Sequence, residues 1–338
     1  MNRTLILLLA VLLLGGIAWW ATSSAQKPAS AEERAEIRRF GYQNFDEVHK
    51  IFVADRKGHN VTLVRGGISG WLADGKPAND NIMKNLSDAV QNMDIRSLPT
   101  EKAKPNMVKD LATNGILVQL FDKEGKKLRG YYLGSGTYDE LGTNAIVEGS
   151  EEPYVVHLPH FTGNIRQRFT HWDDEWRDKV YFRVDPENIE LFSIEYPRQR
   201  NKSFKITRDG DKYVAAPFYE TGQPVREVSR AAVESALVRY EKYYINRYQN
   251  NDKEGIEAVK GILPFATITV KQAGSEAQEM RVFPKYTNHT FTQDPKTGAV
   301  TEQNGLESYN AYINNGEDWV LLNVETAQQL FIGFDSFQ

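Results

Sequence analysis

Three histidines stand close together in the chain: His157 and His160 in VHLPHF, and His171 eleven residues further on. Three imidazoles can hold zinc and leave a fourth position open for water. The spacing argues against it. Residues three apart on an extended segment point to opposite faces. His157 alternates within an apolar run, and Pro159 turns the chain before His160. Satisfied structural or surface histidines are the better reading. The next stretch, His171-Trp172-Asp173-Asp174-Glu175-Trp176-Arg177-Asp178, is dense in carboxylates. Paired carboxylates do acid–base work when one has a raised pKa, and calcium takes hard oxygen ligands. The run, however, falls where two halves of the chain meet, with Arg177 beside Asp178. A charged connector is the simpler account. Trp172, Asp173, Asp174, Trp176 and Arg177 are therefore read as an interaction surface and not as catalytic groups.

Four other patterns imitate known chemistry. Asn250, Asp252, Glu254 and Gly255 resemble the start of a calcium loop, but Gly261 occupies the position that needs an acid. A solvated loop is expected there. Gly134-Ser135-Gly136-Thr137 is glycine-rich without a phosphate-loop or dinucleotide pattern, and a hairpin loop explains it. Gly67-Ile68-Ser69-Gly70-Trp71 lacks the last glycine of a nucleophile elbow. Tyr240, Tyr243, Tyr244 and Tyr248 continue a helical spacing, with Tyr243 and Tyr244 on different sides. Tyrosine suits interfaces, so Tyr243 and Tyr244 join the expected surface. Trp71, Trp172 and Trp176 could stack on sugar rings, but Trp71 lies in a short strand, where core packing is expected. No catalytic, cofactor-binding or metal-ligating set is assigned, and no cofactor is expected.

These residues must be positioned by a body that follows a membrane segment. Thr4 to Ala21 is eighteen residues without charge, preceded by Arg3 and closed by Trp19 and Trp20. At about 1.5 Å per residue such a helix spans roughly 27 Å, close to a hydrocarbon core of about 30 Å. A cleaved signal peptide shares the basic start and a small-residue stretch, Ser23-Ser24-Ala25. The length of the run and its bulky tryptophans favour an uncleaved anchor, and with no cysteine following it a lipoprotein anchor is excluded. Lys27, Arg34, Arg38 and Arg39 lie beyond it, so a strict positive-inside count does not select the orientation. The very short leader favours a signal-anchor in the inner membrane, single-pass, with the body in the periplasm.

The net charge is −4, charged residues make up 25%, and no basic stripe is present, which disfavours nucleic-acid binding. The absence of cysteine excludes disulfides and thiol chemistry. Four glycosylation-type sequons begin at Asn60, Asn85, Asn201 and Asn288, as chance would produce in a chain of this composition.

Apolar periodicity divides the rest into an α+β body in tandem. Ser30 to Phe40 is expected to be a short capped helix on a stalk. A first copy opens with strands around Val48–Val53, Val61–Arg65 and Trp71–Ala73. A helix follows Pro77, with Ile82, Leu86, Ala89, Val90 and Met93 on one face. A second copy opens with Ile189–Ile194, Ser203–Arg208 and Tyr213–Ala215. Its helix follows Pro224, with Val233, Ala236, Leu237 and Tyr240. Alternation at Ile116, Val118 and Leu120, and at Ala266, Ile268 and Val270, adds further strands. Asp122–Gly125 and Ala273–Ser275 supply turns, and Tyr154–Leu158 and Trp319–Asn323 close the copies. The expected fold is an N-terminal transmembrane helix followed by two tandem β-β-β-α-β-β-β antiparallel units. The boundaries are 1–25 for the anchor, 26–44 for the linker and stalk, 45–165 for the first copy, 166–184 for a charged connector and 185–338 for the second copy.

GWLADGKPANDNIMKNLSDAVQNMDI, GYYLGSGTYDELGTNAIVEGSEEPYVVHLPHFTG and DDEWRDKVYFRVDPENIELFSIEYP together resemble the domain of unknown function 4340 family in its Bacteroidetes-type membrane-anchored form. The resemblance covers about residues 45 to 330. Trp71, EPYVVHLP and WRDK are its most telling parts. It implies an envelope protein associated with ABC-transporter subunits of the gliding-motility type, and it implies no catalytic residue. The expected function is a non-enzymatic binding or scaffolding accessory, with other envelope or transporter proteins as partners. A glycan or peptide binding module and an envelope hydrolase are the alternatives.

Overall fold

The computed structural model describes residues 39–337 except 68–69, 288–289, 294–299 and 304. The apolar run Thr4–Ala21 and most of the expected stalk helix lie outside the described residues, as does Asn288. Among the described residues no helix is long and apolar enough to cross a membrane. The body is α+β, with two large sheets whose strand pairings are antiparallel. It divides into two compact units, residues 39–66 with 81–171, and residues 67–80 with 172–337.

In the first unit β1 (Lys50–Ala54) and β2 (Asn60–Arg65) form a hairpin. Asp55 closes its turn by accepting from the backbone N–H of Lys57 at 2.8 Å and of His59 at 3.0 Å. Such a local carboxylate bond is why Asp favours turns. β3 (Trp71–Ala73) and β4 (Lys76–Pro77) pair through Asp74-Gly75, both at positive φ, and fall in the second unit. Helix α1 (Asp80–Asn92) buries Met83, Leu86, Ala89 and Val90. The core position expected for Ile82 goes to Met83, and Ile82 is half-buried. β5 (Asp94–Ser97), helix α2 (Lys104–Asn114), β6 (Ile116–Phe121), β7 (Lys127–Gly136), β8 (Thr143–Val147) and β9 (Pro153–His157) complete the unit. Seven of these strands lie in the order β2-β1-β6-β7-β8-β9-β5.

The glycine-rich stretch is not a hairpin loop. Gly134 and Gly136 sit in β7, because other groups press on their backbone. A Cβ on Gly134 would stand 2.5 Å from Asp110 Oδ2 of α2, and one on Gly136 would stand 2.7 Å from Asn164 Nδ2. Glycine inside a strand marks such close approach.

The second unit contains β10 (Val180–Phe182), β11 (Ile189–Glu195), β12 (Phe204–Asp209), β13 (Lys212–Pro217) and β14 (Arg226–Val228). Helix α3 (Arg230–Leu237) follows, capped by Ser229, then β15 (Tyr243–Tyr244), β16 (Arg247–Tyr248) and α4 (Lys253–Ala258). β17 (Ala266–Gln272), β18 (Gln278–Tyr286), β19 (Thr290–Gln293), β20 (Val300–Gln303), β21 (Leu306–Ile313), β22 (Asp318–Leu322) and α5 (Val324–Gln328) end it. Its large sheet runs β14-β13-β12-β11-β17-β18-β21-β22-β16. One face carries the apolar core, with Phe192, Ile194, Phe204, Ile268, Val282, Ala311, Val320, Val233 and Leu237 among its members.

The order expected for each copy, β-β-β-α-β-β-β, undercounts both units. The first carries a second helix, α2, and a strand, β5, whose short polar sequence DIRS gives no alternation to read. The tyrosine stripe is also corrected. The helix ends at Leu237, so Tyr243, Tyr244 and Tyr248 lie in the short strands β15 and β16.

Candidate functional site

The histidines are dispersed. His157 pairs with Asp94 across β9 and β5. His160 Nε2 lies 3.0 Å from Asp88 Oδ2, which also accepts from Arg168 Nη1 at 2.6 Å. Burial alone would raise the Asp88 carboxyl, but the bonds from His160, Asn92 and Arg168 outweigh it and lower its pKa. Among the described residues no group of three His, Cys, Asp or Glu gathers as a metal site would require.

The acidic run folds into a closed polar cluster of the second unit. Arg177 does not pair with Asp178, as its sequence neighbourhood implied. Its Nη1 donates to Asp174 Oδ1 and to Asp318 Oδ1, and its Nη2 donates to Asp318 Oδ2, each at 2.8 Å. Its guanidinium lies over the Tyr248 ring, 3.8 Å from the centroid. Asp318 also accepts from Asn314 Nδ2 at 2.7 Å and Asn250 Nδ2 at 3.0 Å. Burial acts to raise the Asp318 pKa, but these donors outweigh it and hold the carboxyl well below the usual range. Burial likewise acts to lower the Arg177 pKa, and the two carboxylates reverse the sign. Tyr248 is pushed up to about 12, chiefly by burial. Asp178 turns instead to Arg183.

This geometry removes three residues from the expected surface. Trp176, Arg177 and Tyr243 are buried, because the cluster and the core close over them. Trp172 and Asp174 are half-buried, and Asp173 is exposed at positive φ. Tyr244 remains 48% exposed. The structure thus does not bring the seven together as one face. The imitation calcium loop is also resolved: Asp252 caps α4, accepting from Gly255 N at 3.0 Å, while Asn250 serves Asp318.

A concave site lies elsewhere in the second unit. β18 runs past the end of its neighbour: β17 pairs with it only as far as Ala266 opposite Val282. Phe265 N makes the last bond on that side, to Val282 O at 2.8 Å. Beyond it stands Pro284, which has no N–H to leave unpaired at an open edge. α4 and the loop after it border the opening, giving a groove of about 810 Å³. Val259, Ile262, Leu263, Phe265, Phe283, Pro284 and Tyr286 line it with apolar surface. Leu263 is 62% and Tyr286 58% exposed at its lip. That volume falls in the range of ordinary ligand sites, about 300–1,000 Å³.

The polar groups on this face are under-used. Asn310 lines the groove and is only 5% exposed. Its Oδ1 accepts from Gln249 Nε2 at 3.1 Å, and its Nδ2 has no acceptor among the described residues. Ser308, two residues away on the same face of β21, buries its Oγ without a partner among the described residues. Trp319 lies opposite Tyr312, on that face again, and its Nε1 is buried without an acceptor among the described residues. Buried polar groups are normally paired, so the two buried ones, Ser308 Oγ and Trp319 Nε1, need an explanation; Asn310 Nδ2 is instead open to the groove. Sequence reasoning passed over this site. Its available signals were Pro284 inside a strand and the apolar pair Ile262-Leu263 between Gly261 and Pro264.

No protein-family model, no curated protein and no solved structure matches the chain.

Proposed function

We propose that the chain is a non-enzymatic accessory of an envelope complex, held at the inner membrane by Thr4–Ala21, that binds protein partners through its periplasmic body. The observation that carries this reading is the groove beside α4, which joins exposed apolar side chains to Asn310, whose Nδ2 has no acceptor among the described residues. A catalytic site needs a nucleophile or base held by a positioning group. The titratable clusters here are instead closed ion pairs, with Arg177 on Asp318 and Arg168 on Asp88. The shared order of seven strands in each sheet, β2-β1-β6-β7-β8-β9-β5 and β12-β11-β17-β18-β21-β22-β16, supports the further proposal that the body arose by tandem duplication. The resemblance to the domain of unknown function 4340 family points to a gliding-motility-type ABC transporter as the complex served, and it rests on sequence pattern alone.

The test is cross-linking of tagged full-length protein in its native membrane, followed by mild-detergent co-purification and mass spectrometry. Recovery of stoichiometric transporter or motility subunits is the expected outcome. Recovery of the protein alone overturns the accessory role.

A further inference from the structure

We infer that the groove between α4 and the free end of β18 takes an extended peptide segment with apolar side chains, supplied by a partner protein. This rests on the binding reading above and names its surface and ligand class. Apolar walls alone do not choose the occupant. The floor does.

Asn310 Nδ2 is a donor with nothing to donate to among the described residues. The Pro284 carbonyl is an acceptor on the same edge. Val282 turns its carbonyl toward the β17 side, where Phe265 N meets it. Pro284 is two residues on, and strand alternation sends its carbonyl the same way, beyond the end of β17. An extended peptide supplies what both need, a carbonyl for the Asn310 amide and an N–H for the Pro284 carbonyl. Its alternate side chains then enter the apolar walls, as in other strand-like peptide complexes. An acyl chain fills the same walls but offers nothing to either group, leaving both desolvated and unpaired.

The rim sets direction. Arg198 and Glu254 both border the groove, and neither forms an ion pair among the described residues. Lys285, by contrast, is engaged by Glu307 at 3.1 Å. A peptide with an acidic residue toward Arg198 and a basic residue toward Glu254 meets both charges. Charges of this kind fix register more than affinity.

The experiment is selection of a phage-displayed random dodecapeptide library on purified full-length protein in detergent. The expected result is enrichment of sequences with apolar residues at alternate positions and an acid on one flank. Leu263→Asp, at an exposed position, is expected to weaken a selected peptide at least tenfold while the far-UV spectrum and melting temperature stay unchanged. Arg198→Glu is expected to exchange the acidic flank for a basic one, a switch that misfolding cannot produce. Absence of enrichment, or enrichment insensitive to both variants, overturns the inference. Displacement of a selected peptide by cis-parinaric acid with no effect of Arg198→Glu also overturns it, in favour of an acyl-chain site. If partners still cross-link to the Leu263→Asp chain in its membrane, the accessory role stands and the groove is not its surface. If no partner cross-links even to the unaltered chain, the accessory role itself falls.

Discussion

The second unit holds two polar regions, one built around charged side chains and one from neutral ones, and they are finished in different ways. Around Arg177 both carboxylates have donors, and Asp318 accepts from Arg177, Asn314 and Asn250. Even Arg177 Nε, which has no acceptor among the described residues, belongs to a guanidinium lying on the Tyr248 ring. Along β21 and β22, Ser308 Oγ and Trp319 Nε1 are buried without a partner among the described residues, and Asn310 Nδ2 faces the groove with no acceptor among them. The first region meets both carboxylates, leaves only Arg177 Nε without an acceptor among the described residues, and holds β22 to the segment before β10. The second carries unmet hydrogen-bonding capacity next to an open groove. Proteins tolerate such local cost where function requires it. The contrast teaches that charge density in the sequence marked structure, whereas the candidate groove has a neutral floor and carries Arg198 and Glu254 only at its rim.

The comparison breaks most sharply at Asp318. Asp318→Ala leaves Arg177 buried with only Asp174, and removing one partner of a buried pair costs about 3–5 kcal/mol. Urea unfolding of the full-length protein is expected to show a loss of that size. The double variant Arg177→Met with Asp318→Leu is expected to recover most of it, since apolar replacement of a whole buried pair is often near neutral. Full recovery failing in the double variant would show that Asn250 and Asn314 need the carboxylate as much as Arg177 does.

The acid limb of stability tests the same cluster by titration. The Asp318 carboxyl is depressed in the folded chain, as are Asp88 and Asp110. Depression fixes the sign: the contribution is complete above the unfolded value of ~3.9 and is lost as pH falls through the folded one. Melting temperature should therefore fall steeply below pH ~4, and Asp318→Asn should flatten that limb. A variant with an unchanged acid limb would assign the loss to the first unit.

Ser308 should move in the other direction. Removing a buried hydroxyl that has no partner relieves a desolvation cost of about 1 kcal/mol or more. Ser308→Ala is expected to raise stability by about that amount in urea, where most buried substitutions lower it. A loss instead would mean the hydroxyl is satisfied in solution and would weaken the contrast.

The smallest effect is expected in the first unit. His160 is half-exposed beside Asp88, which Arg168 continues to hold. Exposed pairs contribute about 0–1 kcal/mol, so His160→Ala should change stability by less than about 1 kcal/mol. A larger change would give this pair a role that the Arg177 cluster now holds alone.

Several elements could be read directly from the chain. Val61–Arg65, Trp71–Ala73, Ile116–Leu120 and Ala266–Val270 alternate in sequence and are strands, because a half-buried sheet imposes a period of two. The turns at Asp122–Gly125 and Ala273–Ser275 were equally legible, since their residues determine local backbone geometry. β5 and α2 were not: Asp94–Ser97 and Lys104–Asn114 carry weak patterns, and their partners β9 and β7 are distant in sequence. The tyrosine series misled for the same reason. A spacing of three and four fits a helix, but β10 and β22 claim Tyr243, Tyr244 and Tyr248 as strand partners.

The sequence by itself determined the α+β class, the apolar faces, the turns, the lack of thiol chemistry and the charge balance, all properties of local composition and period. Only the tertiary structure decided which carboxylate Arg177 meets, since Asp318 lies 141 residues away. It also decided where the groove opens. That depends on β18 outrunning β17 and on Asn310 being left half-satisfied, and both are outcomes of long-range pairing that no local pattern encodes.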